Sequence, residues 1–485
     1  MSQMNRSDFP VRSLLELGVE RPADRRAVVA TLAAAAMTDL AVRSGVAVIA
    51  GAVLVALVAA ALVASRRVVN PQALALLGTA VAFGACLAVR TSPWLIPFDI
   101  LAIGGLLVLA ASLGRGGSVF DLTIPAVVAR GLHALAHGLA APGFLVGAVD
   151  RHRERAGTAF AVLRGLALAV PLLVVLGLLL ASADAVFAGF FGGWSPETVV
   201  VHAVLLTVGA WGMAGLLRVA SASPAPVAPA LAFRLGRLEA SIVLGSLVAL
   251  FAAFATAQLI ALSGGGRHVL ETAGLTYAEY ARTGFFQLIA VATITLGALL
   301  GLRSLTDLDD PTTRRRFVVL AEVALALTLV VVFVALRRLD LYQDAFGLTM
   351  LRLYSQVFAV WVGGVFVLLA VSLAGAGRGR SWLPAIAAAT GLAALLALNV
   401  ANPEAVVVRH NVDFAASSGR FDPAYLAGLS DDAVPALEKA LPRLQPEARA
   451  RVLETICATR PAPRGIWAYN GGLDGAVEAR NRACG

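Results

Sequence analysis

Eleven apolar runs, most of them 17 to 25 residues long, fill the chain from about Val28 to Leu398. A run of about 20 apolar residues matches the ~30 Å hydrocarbon core of a bilayer, and no water-soluble fold needs such runs back to back. They are continuous rather than alternating, which excludes the strands of a membrane barrel. Helix is then the spanning structure left, because every backbone N–H and C=O must be satisfied within its own segment. The chain reads as an all-α, polytopic transmembrane helix bundle. Its spans lie near 27–41, 45–64, 71–89, 94–113, 160–184, 198–217, 240–262, 285–302, 317–336, 355–376 and 382–398. The first is Ala-rich and carries Asp39 near its end. The alternative is ten spans with 27–41 lying in the interface.

Hydrophobic residues make up 59% of the chain and charged residues 14%, against about 25% charged in an average soluble protein; mean hydropathy is +0.82. A net charge of +9 invites a nucleic-acid reading, but its placement argues against one. Residues 399–485 hold ten basic and ten acidic side chains, so the excess lies in the short connectors between apolar runs. Basic connectors of this kind orient a membrane protein and meet anionic lipid head groups. With the N-terminus cytoplasmic, the inside segments collect 21 Arg and the outside loops seven. That imbalance is the positive-inside signature. An odd number of spans then puts the C-terminus outside the cytoplasm. Residues 1–26 are polar, with no apolar core before a cleavage site, so the first span is expected to serve as an uncleaved anchor.

Three regions follow: a cytoplasmic segment at 1–26, the transmembrane bundle at 27–398 and a small helical extracytoplasmic region at 399–485. Within the bundle, 114–159 is broken by Gly114, Gly116, Gly117, Pro125 and Pro142 and polarised by Arg130, His133 and His137. It reads as a cytoplasmic interfacial helix near 124–140 followed by a basic cluster. The C-terminal region is proline-punctuated and reads as four or five short helices forming a cap, with helix starts at Asp422-Pro423 and Ser430.

Two outside loops carry the most distinctive polar residues. One places Tyr277, Glu279, Tyr280 and Arg282 ahead of the eighth span; the other, 337–354, holds Tyr342, Asp344, Arg352 and Tyr354. Gly347-Leu348-Thr349 echoes Gly274-Leu275-Thr276, each leading into a span. Both loops lie on one face, so their side chains are candidates for a single polar cluster, set against the plainer reading of an interfacial aromatic belt with snorkelling Arg. Ionisable groups within membranes are costly and often functional; Asp39, Asp99, Asp184, His202, Glu239, Gln258 and Glu322 are such positions. Asp99, Asp184, Glu239 and Gln258 are the intramembrane candidates kept. His133 and His137 stand at i, i+4, but no Cys or carboxylate on that helix completes a metal site. Cys457 and Cys484 are the disulfide candidates if the cap lies in an oxidising compartment. No phosphate-cradling Gly-x-x-x-x-Gly-Lys, no His-Glu-x-x-His and no Gly-x-Ser-x-Gly is present, so no catalytic residue, metal or cofactor is assigned.

The two loops, with Arg164-Gly-Leu, Pro171, Leu180-Ala-Ser-Ala-Asp-Ala-Val-Phe187, Glu239, Phe251-Ala-Ala-Phe254, Gln258 and Asn402-Pro-Glu…Arg409-His-Asn411, resemble an uncharacterised bacterial membrane family. It is a domain of unknown function, the four-one-seven-three type. The resemblance runs from the first span to about Pro435, and Tyr277-Ala-Glu-Tyr-Ala-Arg282 is its most specific part. It implies a multi-pass protein of the bacterial inner membrane and brings no activity, substrate or catalytic residue.

Three function classes remain. First comes a binding, sensing or structural component whose spans scaffold the outside loops and cap for an envelope or membrane protein partner. Second is a transporter of a small solute or lipid, with Pro171, Gly209, Gly212, Gly215 and Gly363-Gly364 as markers of broken helices. Third is a membrane-embedded enzyme acting on a lipid-linked or envelope substrate.

Overall fold

A computed structural model describes residues 17–150, 176, 177, 180, 196–222, 234–260, 284–375, 382–458 and 465–485. They divide into two compact units. The first takes in residues up to 118, 124–228 and 461–475; the second takes in 119–123, 229–460 and 476–485.

In the first unit lie α1 (Arg25–Ser44), α2 (Ile49–Ala64), α3 (Pro71–Leu87), α4 (Ile96–Ser112), α5 (Ile124–Leu139), α6 (Ala141–Asp150) and α7 (Pro196–Val219). The second holds α8 (Arg237–Ile260), α9 (Phe285–Leu305), α10 (Pro311–Phe346), α11 (Met350–Leu373), α12 (Trp382–Ala401), α13 (Pro403–Ser418), α14 (Pro423–Ala427), α15 (Val434–Ala440) and α16 (Pro446–Ala458). The last helix, α17 (Gly471–Cys484), contributes residues to both. Among the described residues, seven helices are long and apolar enough to cross a membrane, and α2, α3 and α4 are shorter apolar helices. The Ala-rich α1 is one of the seven, at 20 residues. The expected span at 160–184 lies outside the described residues.

Several helices start at an Asn-Pro or Asp-Pro pair. Asn70, Asp310, Asn402 and Asp422 each accept a backbone N–H from the first turn, and Pro follows at the opening helical position. The side chain takes a donor that the helix leaves orphaned, and Pro has no donor to waste there. Inside the helices, hydroxyls turn back on their own backbone: Thr31, Thr38, Thr207, Ser246, Thr295 and Thr328 donate to the carbonyl four residues earlier.

The surface changes character along the chain. Leu101, Leu238, Leu250, Ile294, Phe333 and Val360 are large apolar side chains standing exposed on α4 and α8–α11, an arrangement suited to lipid and not to water. Over 403–458 every described large apolar side chain is buried or half-buried, as in a water-facing domain. The chain is a polytopic helical membrane bundle with a small helical cap.

Two expectations change. Residues 337–346 do not form a loop: α10 runs on to Phe346, because Arg337 pairs with Asp340 at 3.6 Å and Leu339 and Gln343 turn inward at helical spacing. The connection to α11 is only Gly347–Thr349. At ~1.5 Å per residue, the 36 residues of α10 exceed the hydrocarbon core. The glycine markers of broken helices also fall: α7 passes unbroken through Gly209, Gly212 and Gly215, and α11 through Gly363 and Gly364. Pro171 lies outside the described residues.

Candidate functional site

In the second unit the short α10–α11 connection is gripped by the cap. Gly347 closes α10 at φ 72°, a left-handed value that glycine tolerates, and a Cβ there would enter the space of the Asn411 side chain. Asn411, on α13, treats Leu348 as a neighbouring strand would. Its Oδ1 accepts from Leu348 N at 2.9 Å and its Nδ2 donates to Leu348 O at 2.7 Å. The Tyr425 hydroxyl accepts from Met350 N at 2.7 Å; burial pushes this phenol's pKa up. Leu348 and Met350 belong to the cap's own buried core, with Val407, Val412, Leu437 and Ile456. Asn402 donates to Asp432 O at 2.8 Å, and Glu404 accepts from both Ser430 N and Ser430 Oγ, at 2.8 and 2.7 Å. The conspicuous Asn402-Pro-Glu…Asn411 run is thus the fastening of the cap. Asn411→Ala is expected to lower the melting stability by about 2–4 kcal/mol, since two half-buried backbone groups lose their partners at ~1–3 kcal/mol each. An unchanged melting curve in detergent would show that water replaces Asn411 at no cost.

Three of the outer-cluster residues gather around this connection. The Arg352 guanidinium lies 3.9 Å from the centre of the Tyr342 ring and donates to Phe346 O at 3.2 Å and to Gly347 O. Tyr342 meets Phe346 edge-on at 5.1 Å. Tyr354 packs against the cap core. Asp344 stands exposed on the last turns of α10. Tyr277, Glu279, Tyr280 and Arg282 lie outside the described residues.

The intramembrane candidates separate by position. Asp99 is fully buried in the first turn of α4, where the helix N-terminus favours a negative charge. Glu239 is exposed and accepts from Gly236 N at 2.7 Å, the reach-back of a capping box; it serves a helix start. Gln258 is half-buried on α8. Asp184 lies outside the described residues. In the first unit, His202 sits between Asp39 Oδ1 at 2.7 Å and Arg43 at 2.7 Å, joining α1 to α7. Glu322 lies on α10, well inside a span.

The Arg-rich end of the first unit is held by Arg67 and Arg218, which in sequence are ordinary connector arginines, and by His137. Arg67, 2% exposed, donates to Arg21 O at 3.3 Å, Pro22 O at 3.0 Å and Ser221 Oγ, and pairs with Asp24 at 3.6 Å. His137, with no exposed surface, accepts at Nδ1 from Arg218 Nε at 3.2 Å, while Arg218 also donates to Ala140 O and to Leu17 O. A cation therefore occupies the lone pair that a metal would need. Burial first, then His133 and Arg218, pushes the His137 pKa from its ordinary 6.5 to about 4. A folded-state value below the unfolded one means that stability is complete above about pH 6.5 and is lost as pH falls toward 4. The full loss is at most about 3 kcal/mol. Thermal melts at pH 7.5 and 4.5 are expected to differ less in His137→Gln than in the wild type; an equal difference removes His137 as the cause.

What these geometries define is a helical membrane protein whose described polar residues mostly fasten connectors and cap. Its residues 77–440 match the family Domain of unknown function (DUF4153), and the chain belongs to that family. The four-one-seven-three name suggested by the loops gives way to it, while the broader expectation of an uncharacterised-domain family holds. Comparison with curated proteins and with solved structures finds no match.

Proposed function

We propose that the protein is a binding or sensing component of the bacterial plasma membrane. On this reading the N-terminus is cytoplasmic, and the cap and the 342–354 region receive a ligand or an envelope or membrane protein partner outside. One observation carries it: Leu348 and Met350, which join the long helices α10 and α11, are built into the cap's own core and tied to Asn411 and Tyr425. A displacement of the cap is therefore a displacement of two membrane helices.

Orientation is supported by charge and by sulfur. Within the first unit, the end formed by the turns near residues 20–26, 66–67 and 115 gathers Arg21, Arg25, Arg26, Arg66, Arg67 and Arg115, while the turns of the other end hold Arg43 and Arg90. Basic connectors favour the cytoplasm. A disulfide joins Cys457 to Cys484 across a separation of 27 residues, and such bonds persist outside the reducing cytosol. The self-satisfied hydroxyls and unbroken glycine helices favour a scaffold over a polar transport path.

The test pairs topology with coupling. A reporter active only outside the cytoplasm, fused after Gly485, should signal, and a cytoplasm-only reporter should stay dark. In a deletion strain, the double variant Asn411→Leu/Tyr425→Phe, expressed so that its amount in the membrane matches the wild type, should fail to restore the lost phenotype. Full rescue by that variant would show that cap coupling is dispensable and sink the sensing reading.

A further inference from the structure

We propose that the first unit binds one anionic phospholipid, its phosphate in a basic cup at the Arg-rich end and an acyl chain in the apolar groove that continues from it. The cup holds about 360 Å³ and is lined by Glu20, Ser112, Arg115, Gly117, Arg130 and His133. That size falls within the ~300–1,000 Å³ of small-molecule sites. Arg115 pairs with Glu20. Arg130 is half-buried, donates to Ser112 O at 3.3 Å and meets no carboxylate among the described residues. One unneutralised guanidinium thus faces the cup, matched in charge to a phosphodiester.

The backbone adds to it. Asn70 donates to Leu113 O and Gly117 O, which fixes the 113–117 turn, and Gly117 takes φ 91°. Among the described residues, the N–H groups of Arg115 and Gly117 have no hydrogen-bond partner. Unspent N–H groups in a tight turn form the concavity that binds anions elsewhere.

The groove makes the ligand a lipid rather than a free anion. It holds about 710 Å³, is walled by Leu107, Val108, Leu135, Trp211 and Leu216, and shares Ala134 and Val219 with the cup. Polar and apolar compartments therefore adjoin, as head group and chain do. Gly104, Gly131 and Gly212 line the groove, and a Cβ at any of them would meet nothing within 4 Å among the described residues. The site also stands at the right depth. Helix α5 turns Ala129, His133 and His137 inward while Val128, Leu132 and Leu135 stand exposed, the division expected of an interfacial helix.

Purified full-length protein, titrated in neutral detergent with phosphatidylglycerol, phosphatidylcholine or inorganic phosphate and read by native mass spectrometry, tests this. One phosphatidylglycerol should bind in preference to phosphatidylcholine. Arg130→Gln should weaken it by at least about tenfold, the loss of one charge-assisted contact. Gly212→Leu, whose Cβ meets nothing within 4 Å among the described residues and whose side chain extends into the groove, should weaken the lipid equally and leave the melting temperature unchanged. Equal binding of both lipids, or indifference to both substitutions, overturns the proposal. If inorganic phosphate binds as tightly as the lipid and Gly212→Leu has no effect, the cup is a soluble-anion site and the proposal fails. If no lipid is retained and the Gly212→Cys variant cross-links to the chain's own 160–184 segment, the groove is internal packing and the proposal also fails.

Discussion

Gly209→Leu is expected to abolish recovery of monodisperse protein. Gly209 lies on α7 where that helix crosses α1, and a Cβ there would stand 2.5 Å from Thr38 Oγ1 and 2.9 Å from Ala35 Cα. The second contact is to backbone, so no rotamer change relieves it. The helices must part, and Ala34, Ala35, Met213 and Ala214, all buried near this crossing, lose their contacts together. Overpacking typically costs about 1–3 kcal/mol, and a Leu here exceeds that because two backbones separate. In a bilayer the loss is not offset by a hydrophobic penalty for separation, since small residues earn association through close approach alone. The control is Gly212→Leu, three residues along the same helix, where a Cβ meets nothing within 4 Å among the described residues. Size-exclusion profiles and melting curves of the two variants should diverge sharply. If Gly209→Leu melts with the wild type, the α1–α7 crossing is looser than these distances state.

The contrast between those glycines explains what a reading of the sequence reaches here and what it does not. Length and continuity of the apolar runs suffice for the helices, because bilayer thickness imposes the same requirement on each. The Asn-Pro and Asp-Pro starts at Asn70, Asp310, Asn402 and Asp422 are local chemistry and can be read locally. Gly209 and Gly212 look alike in sequence; only the position of Thr38, 171 residues earlier, separates a packing glycine from an open one. Asn411 and Leu348 meet across 63 residues. Asn470 donates to the carbonyls of Ala47, Leu87 and Arg90, pinning the segment around 465–475 to two connectors of the first unit. No spacing rule announces such single polar residues, because their partners are loop carbonyls, which carry no side-chain signature. The cup was hidden for the same reason: Gly114-Arg115-Gly116-Gly117 and Arg130 read as topology charge until the fold brings them around one space.

Removing the Cys457–Cys484 bridge is the second large effect. The bond closes a separation of 27 residues, for which the chain-entropy account gives about 3–4 kcal/mol. It fastens α16 to the end of α17, whose Ala476 and Ala479 are fully buried in the cap core. Arg480, bonded to Asp431 at 2.6 Å and to Ile456 O at 3.2 Å, lies on the same helix and would keep part of the contact. Cys457→Ser should therefore loosen α17 rather than unfold the cap, and protease should cut near the C-terminus well before the bundle melts. The same variant reports sidedness. Cys484 is exposed, so its freed thiol should react in intact spheroplasts with a maleimide that cannot cross the membrane, while the wild type stays unlabelled unless first reduced. The buried-side thiol of Cys86, half-buried within α3, should stay unlabelled in both. Labelling of the variant only after the spheroplasts are broken would place the cap in the cytoplasm. With the N-terminus cytoplasmic, an odd count of spans could then not be kept, and the sensing surface proposed outside would have to be given up with it.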